Sequence, residues 1–385
     1  MKKRIALDEM LLVKGARVCA GSRMLSRVPS LIDSAVAERL ENAGDTLACR
    51  AEVGEFSIDL AGETSTDGAR MRDGACISHA AELLLDGKAD ACVVLDVNGS
   101  PRRAAAQWGL VCIKPTFGCV STYGVTSAAP SGETVAVMGR TAEACREVLD
   151  VIAGFDARDG KSVPEQMRIP TQKEILRVLI PTELSEGLDG ETRAELERTA
   201  NVLRALGVSV TYASMPWLEA AHAAWNTVLC ADLSKSTARY DGVRFGHRSE
   251  RSASLDELYT NSRGEGFGKL LKCAILYGSE VVSPENYDRL FRTSLCVRTQ
   301  LIEAMTDLTA QDGALLLPAT SVARYTEAWL AHCAFPSFEE NKYTAPASLT
   351  GLPSVVFGGV QLVGARYSED ALLSLAERAE KGGAV

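Results

Sequence analysis

The sequence has no C-x-x-C pair, and its four histidines (His79, His222, His247 and His332) show no H-x-x-x-H spacing. Neither a thiolate zinc site nor a histidine-based metal or triad site is indicated. No apolar run reaches the roughly 18 residues that span a bilayer. The N-terminal stretch MKKRIALDEMLLVKG places Asp8 and Glu9 where a secretion signal needs its apolar run. Basic residues are in deficit: 41 Lys and Arg against 50 Asp and Glu, a net charge of −9. That balance excludes a chain that grips nucleic acid by itself. Repeats and low-complexity tracts are absent too, which argues against a solenoid or a disordered linker protein.

What is present is ordinary for a globular chain: 385 residues, 46% hydrophobic and 24% charged. That length allows one large domain or two. The eleven cysteines are odd in number, so a disulfide framework is not expected and most should be small buried apolar residues. This usage predicts a soluble, cytoplasmic protein without a membrane partner.

Short apolar runs alternate with helical patterns, which predicts an α/β protein. Helices are expected at Ser30–Ala43, Ile77–Leu85, Ala142–Ile152 and Thr192–Leu206, and in a mostly helical portion at about 215–305. Strands are expected at Thr46–Cys49, Asp90–Leu95, Val178–Pro181, Val208–Tyr212, Ala314–Leu317 and Ser354–Phe357. The tail from Ser368 reads as a polar, frayed helix.

The stretch from Asp96 to Thr141 is specific: DVNGSPRRAAAQWGLVCIKPTFGCVSTYGVTSAAPSGETVAVMGRT. Asp96, Gly99, Ser100, Arg102, Gly109, Lys114-Pro115-Thr116 and Arg140-Thr141 fall in the register of the amidase signature pattern, and the chain resembles that family. Ala238–Gly246 (ARYDGVRFG), Arg263–Gly268 (RGEGFG), Val297-Arg298-Thr299 and Pro346–Pro353 (PASLTGLP) are similar to the A subunits of glutamyl-tRNA(Gln) or aspartyl-tRNA(Asn) amidotransferase. The resemblance covers nearly the whole chain. It implies a single amidase-signature domain over 1–385, with a large mixed, twisted β-sheet flanked by helices, and no cofactor. It also implies that some tens of residues of a leading helical segment are missing.

The resemblance further implies a Ser–cis-Ser–Lys relay, because a serine hydroxyl needs a base to become a nucleophile. Ser100 holds the nucleophile position. The turn Val97-Asn98-Gly99 is expected to supply the oxyanion N–H groups, with Asn98 tolerating a left-handed conformation. Ungapped alignment of Val13-Lys14-Gly15 puts Asp8 where the lysine belongs, and a one-residue slip would put Leu7 there. Counting back from Ser100 puts Cys76 at the bridging-serine position, with Ser78 the second candidate and His79 the one plausible activator of the thiol. Arg298 matches an arginine that pairs with a substrate carboxylate, and Asn341 falls where an aspartate holds the substrate amino group. The pairs Arg70/Arg72 and Arg102/Arg103 read as salt-bridged or solvated.

The changes fall on the chemistry while the scaffold motifs persist. The reading is therefore an amidase-like protein related to the glutaminase subunit but impaired in catalysis. Two alternatives stay open: an active amidohydrolase using Ser100 or Cys76, and a non-catalytic subunit of an amidotransferase-like complex. The expected partners are a small amide or amino-acid ligand and a protein partner subunit.

Overall fold

The computed structural model describes residues 2–382 except 26, 27, 171, 245 and 311, so Phe245 of the ARYDGVRFG motif lies outside the described residues. A ten-stranded mixed sheet runs through the molecule. Its strands are β1 (Arg4–Asp8), β2 (Thr46–Ala51), β3 (Ala91–Asp96), β4 (Val111–Lys114) and β5 (Thr134–Gly139), followed by β6 (Arg177–Pro181), β7 (Ser209–Ala213), β8 (Gly313–Pro318), β9 (Ser354–Phe357) and β10 (Val360–Val363). Their spatial order is β7-β6-β8-β10-β9-β4-β5-β3-β1-β2. The two ends of the sheet are parallel, with β1 between β2 and β3, and β6 between β7 and β8. The middle, from β8 through β10, β9, β4 and β5 to β3, is antiparallel throughout.

Alternation along the central strands explains how both faces are buried. In β3, Ala91, Val93 and Leu95 enter one apolar cluster, while Cys92 and Val94 enter the other. In β5, Val135 and Val137 divide from Ala136 and Met138 in the same way. Helices α1 (Ala35–Asn42) and α4 (Ala142–Ile152) cover the first face. Helices α2 (His79–Leu85) and α3 (Ser100–Gln107) cover the second. Each fully buried Val or Leu in these layers contributes roughly 1.5–3 kcal/mol.

Beyond α5 (Gly190–Ala205), the helical portion comprises α6 (Glu219–Thr237), α7 (Leu255–Gly266), α8 (Lys269–Val281) and α9 (Thr293–Thr309). A single π-helical turn, Tyr287–Arg292, leads into α9. The short α10 (Glu327–Leu330), then α11 (Pro336–Thr350) and α12 (Glu369–Lys381) complete the chain. No helix among the described residues is long and apolar enough to cross a membrane.

Two expectations are corrected here. The first helix begins at Ala35 rather than Ser30, because the Ser34 hydroxyl accepts from the Ala37 N–H and caps it. Leu31, expected on its apolar face, is exposed. The tail is not frayed. Leu372, Leu373 and Leu375 of α12 are buried, and Glu369 Oε1 accepts from the Thr116 N–H at 2.6 Å. Arg146 of α4 pairs with both Asp370 and Glu377.

Candidate active site

The parallel neighbours β1 and β3 end side by side, and the chemistry-bearing residues gather at those carboxyl ends, where open α/β sheets hold their ligands. β1 ends in Asp8. β3 ends in Asp96, and the chain then turns through Val97-Asn98-Gly99 into α3, whose first residue is Ser100.

This turn is built from buried polar contacts. Asp96 Oδ1 accepts from the Gly99 N–H (2.9 Å), and Asp96 Oδ2 accepts from Arg102 Nε (2.7 Å). The same guanidinium donates to Thr344 O, Gln361 Oε1 and Ser348 Oγ at 2.7–3.1 Å. Burial works to raise the Asp96 pKa, but the charge and hydrogen bonds of Arg102 hold it below the ordinary carboxylate value. Gly99 carries φ of 82°, and a Cβ on it would come within 2.5 Å of Thr344. The left-handed residue is thus Gly99 and not Asn98, whose φ is not positive. Asn98 is fixed instead by its side chain: Nδ2 donates to Ile58 O (2.9 Å), and Oδ1 accepts from the Trp225 indole (3.2 Å). Arg103, expected to be paired or solvated, is fully buried and donates to the carbonyls of Asp59 and Asn98 at 2.8 and 2.7 Å. Arg70 and Arg72 are salt-bridged, to Glu52 and Glu82 and to Asp86 respectively.

Ser100 opens on a cavity of about 30 Å³, room for about one water molecule. Its polar walls are Asp8, Glu52, Ser57, Asp59, Ser78 and Ser100. No lysine or histidine lines it among the described residues. Asp8 is fully buried, with Oδ1 accepting from the Met10 N–H (2.9 Å) and Oδ2 from the Leu95 N–H (2.6 Å). Burial pushes its pKa up to about 6, against the pull of the Leu95 N–H and the Arg50 charge. The Asp59 carboxyl is also raised by burial, and its Oδ1 has no hydrogen-bond partner among the described residues. Ser57 and its neighbour Phe56 are both left-handed (φ 53° and 51°), a strained pair beside the cavity.

The structure brings Ser100, Ser78 and Asp8 together and leaves Cys76 out. Ser78 caps α2, accepting from the Ala81 N–H at 3.2 Å, and faces the cavity. Cys76 sits in the hairpin Met71–Cys76, packed with Leu60, Ala61 and Tyr325. Burial, together with the Glu63 and Asp59 charges, pushes its thiol upward. His79 does not serve it: Nδ1 accepts from the Glu52 N–H (3.1 Å), beside Arg70. The 75–76 peptide is trans, and no cis bond occurs among the described residues. Arg298 and Asn341 do not line the cavity. Arg298 lies on α9, half-buried, beside Asp232 and Arg366. Asn341 is fully buried on α11, wedged between Asn98, Ser337 and Asn226. Asp59 and Ser57 escaped the sequence reading because no local pattern marks them. Only the left-handed turn at 56–57 and the tertiary fold bring them to Ser100.

Residues 91–373 match the family model described as Amidase. This chain belongs to the amidase family. Among curated relatives, the A subunit of glutamyl-tRNA(Gln) amidotransferase from Symbiobacterium thermophilum is 32% identical, over 97% of this chain and 81% of the relative. The protein of the same name from Natronomonas pharaonis is 30% identical, over 96% of this chain and 93% of the relative. The amidase fold is matched as well. A crystal structure of the corresponding Thermotoga maritima protein superposes with a TM-score of 0.80 at 21% identity, covering 98% of this chain and 83% of that one. Allophanate hydrolase of Kluyveromyces lactis gives 0.83 at 20% identity, over 98% and 61%.

Proposed function

We propose that this chain is an amidase-family protein that does not hydrolyse amides. One observation carries the reading: the cavity at Ser100 buries a carboxylate, Asp8, and has neither lysine nor histidine in its walls among the described residues. A serine hydroxyl needs a base strong enough to take its proton. Both oxygens of Asp8 already accept backbone N–H bonds, from Met10 and Leu95, so neither is left free and aimed at the serine proton. In this reading Asp8 stands in the relay-lysine position. Ser78, rather than Cys76, stands nearest the bridging position. Val97, Asn98 and Gly99 form the former oxyanion turn, while Arg298 and Asn341 are remnants of amino-acid recognition. The volume supports the reading: about 30 Å³ is far below the roughly 300 Å³ and upward that encloses a small organic ligand.

Relatives named as subunits favour a role as a non-catalytic partner in a cytoplasmic amidotransferase-like assembly. The acidic balance of the chain leaves any RNA contact to other members of such an assembly.

The retained Gly99–Ser100 junction favours a second reading, an amidohydrolase still working through Ser100. Ammonia release from glutamine, asparagine and benzamide separates the two. Expected is a rate for the purified chain no higher than for Ser100→Ala. Turnover that vanishes in Ser100→Ala would sink the first reading, and turnover lost only in Cys76→Ala would shift the chemistry to the thiol.

A further inference from the structure

A second and much larger cavity, about 680 Å³, lies in the helical portion between α6, α8 and the start of α9. Its size is that of a small-molecule site, which spans roughly 300–1,000 Å³. It is separate from the Ser100 cavity and shares no wall residue with it. Helix α6 stands between them: Trp225 turns toward Asn98, while His222, Asn226 and Cys230 turn to the larger space.

The walls specify a chemistry. Leu290, Val297, Phe335, Phe338 and the Tyr277 ring supply an apolar lining. The nearby polar groups are largely spent on the protein itself. His222 Nε2 lies 2.6 Å from Phe338 O, Asn226 Nδ2 donates to the same carbonyl (3.1 Å), and the Thr227 and Tyr277 hydroxyls meet at 3.3 Å. No carboxylate lines the cavity among the described residues, and its one permanent charge among them is the Arg289 guanidinium. Arg289 has no ion pair among the described residues and donates from Nη2 to Asn286 Oδ1. It is presented by the π-helical turn Tyr287–Arg292, a rare conformation that is frequent at functional sites.

We propose that this cavity binds a monocarboxylate with a medium-length apolar body. Its carboxylate pairs with Arg289, and its chain lies on Leu290, Val297, Phe335 and Phe338. An amine or a zwitterionic amino acid is disfavoured, because no wall group can accept an ammonium as an ion pair. A polyphosphate is disfavoured because one guanidinium faces the whole space.

Titration calorimetry on the full chain with octanoate tests this, with octanamide and octylamine as controls. Octanoate is expected to bind saturably at one site. Arg289→Ala is expected to weaken it by roughly tenfold or more, octanamide to bind comparably weakly and octylamine not to bind. Ala223→Trp, which fills the cavity, is expected to abolish binding while circular dichroism stays native. Arg289 is exposed, so its replacement leaves the fold intact and keeps the test decisive should the tryptophan variant fail to fold. The proposal is overturned by an absence of saturation, by equal affinity in Arg289→Ala, or by octylamine binding as tightly as octanoate.

Discussion

At the scale of single residues, Asp8 defines the site. Its folded pKa of about 6 lies above the ordinary 3.8, so the folded state holds this proton more tightly than the unfolded chain does. The stability it contributes is complete below about pH 4 and is lost as pH rises through 6. Its slope within that window approaches roughly 1.4 kcal/mol per pH unit. Asp8→Asn is expected to remove that slope. Denaturant unfolding at pH 4 and pH 7 should show a smaller loss of stability on alkalinisation in the variant than in the parent. An identical pH dependence in both would mean that Asp8 is not held as described. Glu63, pushed from 4.5 up to about 8 by burial and by Asp59, works in the same direction, so the variant should retain a loss of stability as pH rises from about 4.5 through 8.

At the scale of elements, the turn from β3 into α3 shows why this segment was readable. Asp96, Gly99, Ser100 and Arg102 lie within seven residues, and that spacing lets the Asp96 carboxylate reach both the Gly99 N–H and the Arg102 guanidinium. Gly99→Ala places a Cβ in a left-handed residue and against Thr344, which should cost upwards of about 1 kcal/mol. Adding Thr344→Ala should recover the steric part but not the backbone part. Equilibrium unfolding of both single variants and the double variant would show a coupling energy if the contact is real, and simple additivity if it is not. Ala142–Ile152 and Ser354–Phe357 were legible to the residue because cap, period and apolar run all end together. The start of α1 was not, because Leu31 and Ile32 continue the apolar spacing past a serine that caps the helix. Cys76 and Ser78 show the same limit at the site. Counting along the chain cannot tell which of two residues just ahead of a helix lines the cavity. Asp59, far before Ser100 in the chain, reaches the cavity only through long-range packing.

At the scale of the whole molecule, the C-terminal helix acts as a clamp. α12 packs its leucines beneath the sheet, and its carboxylates receive the N–H groups of Thr116 and Ala142, one on each side of β5 in the chain. Ending the chain at Tyr367 would remove Leu372, Leu373 and Leu375, expose the core that they cover and leave those two N–H groups unanswered. Three buried leucines at roughly 1.5–3 kcal/mol each amount to a large part of the margin of a typical domain. The truncated chain is therefore expected in the insoluble fraction, and a soluble product with unchanged melting temperature would refute the clamp. The sheet class and the persistence of the scaffold were legible in the sequence, since motif order survives when individual side chains change. The relative sizes of the two cavities were not, since volume depends on how helices distant in sequence settle against each other.

Trp225 gives the molecule an optical reporter. Its indole is sealed from water, touches Gly132 and donates to the side chain of Asn98, the residue two before Ser100. With Trp108, Trp217 and Trp329 replaced by phenylalanine, the remaining emission reads the state of that turn. Loosening of the 97–99 segment admits water to the ring and moves the fluorescence to longer wavelength, so the integrity of the turn before Ser100 can be followed in solution without any substrate.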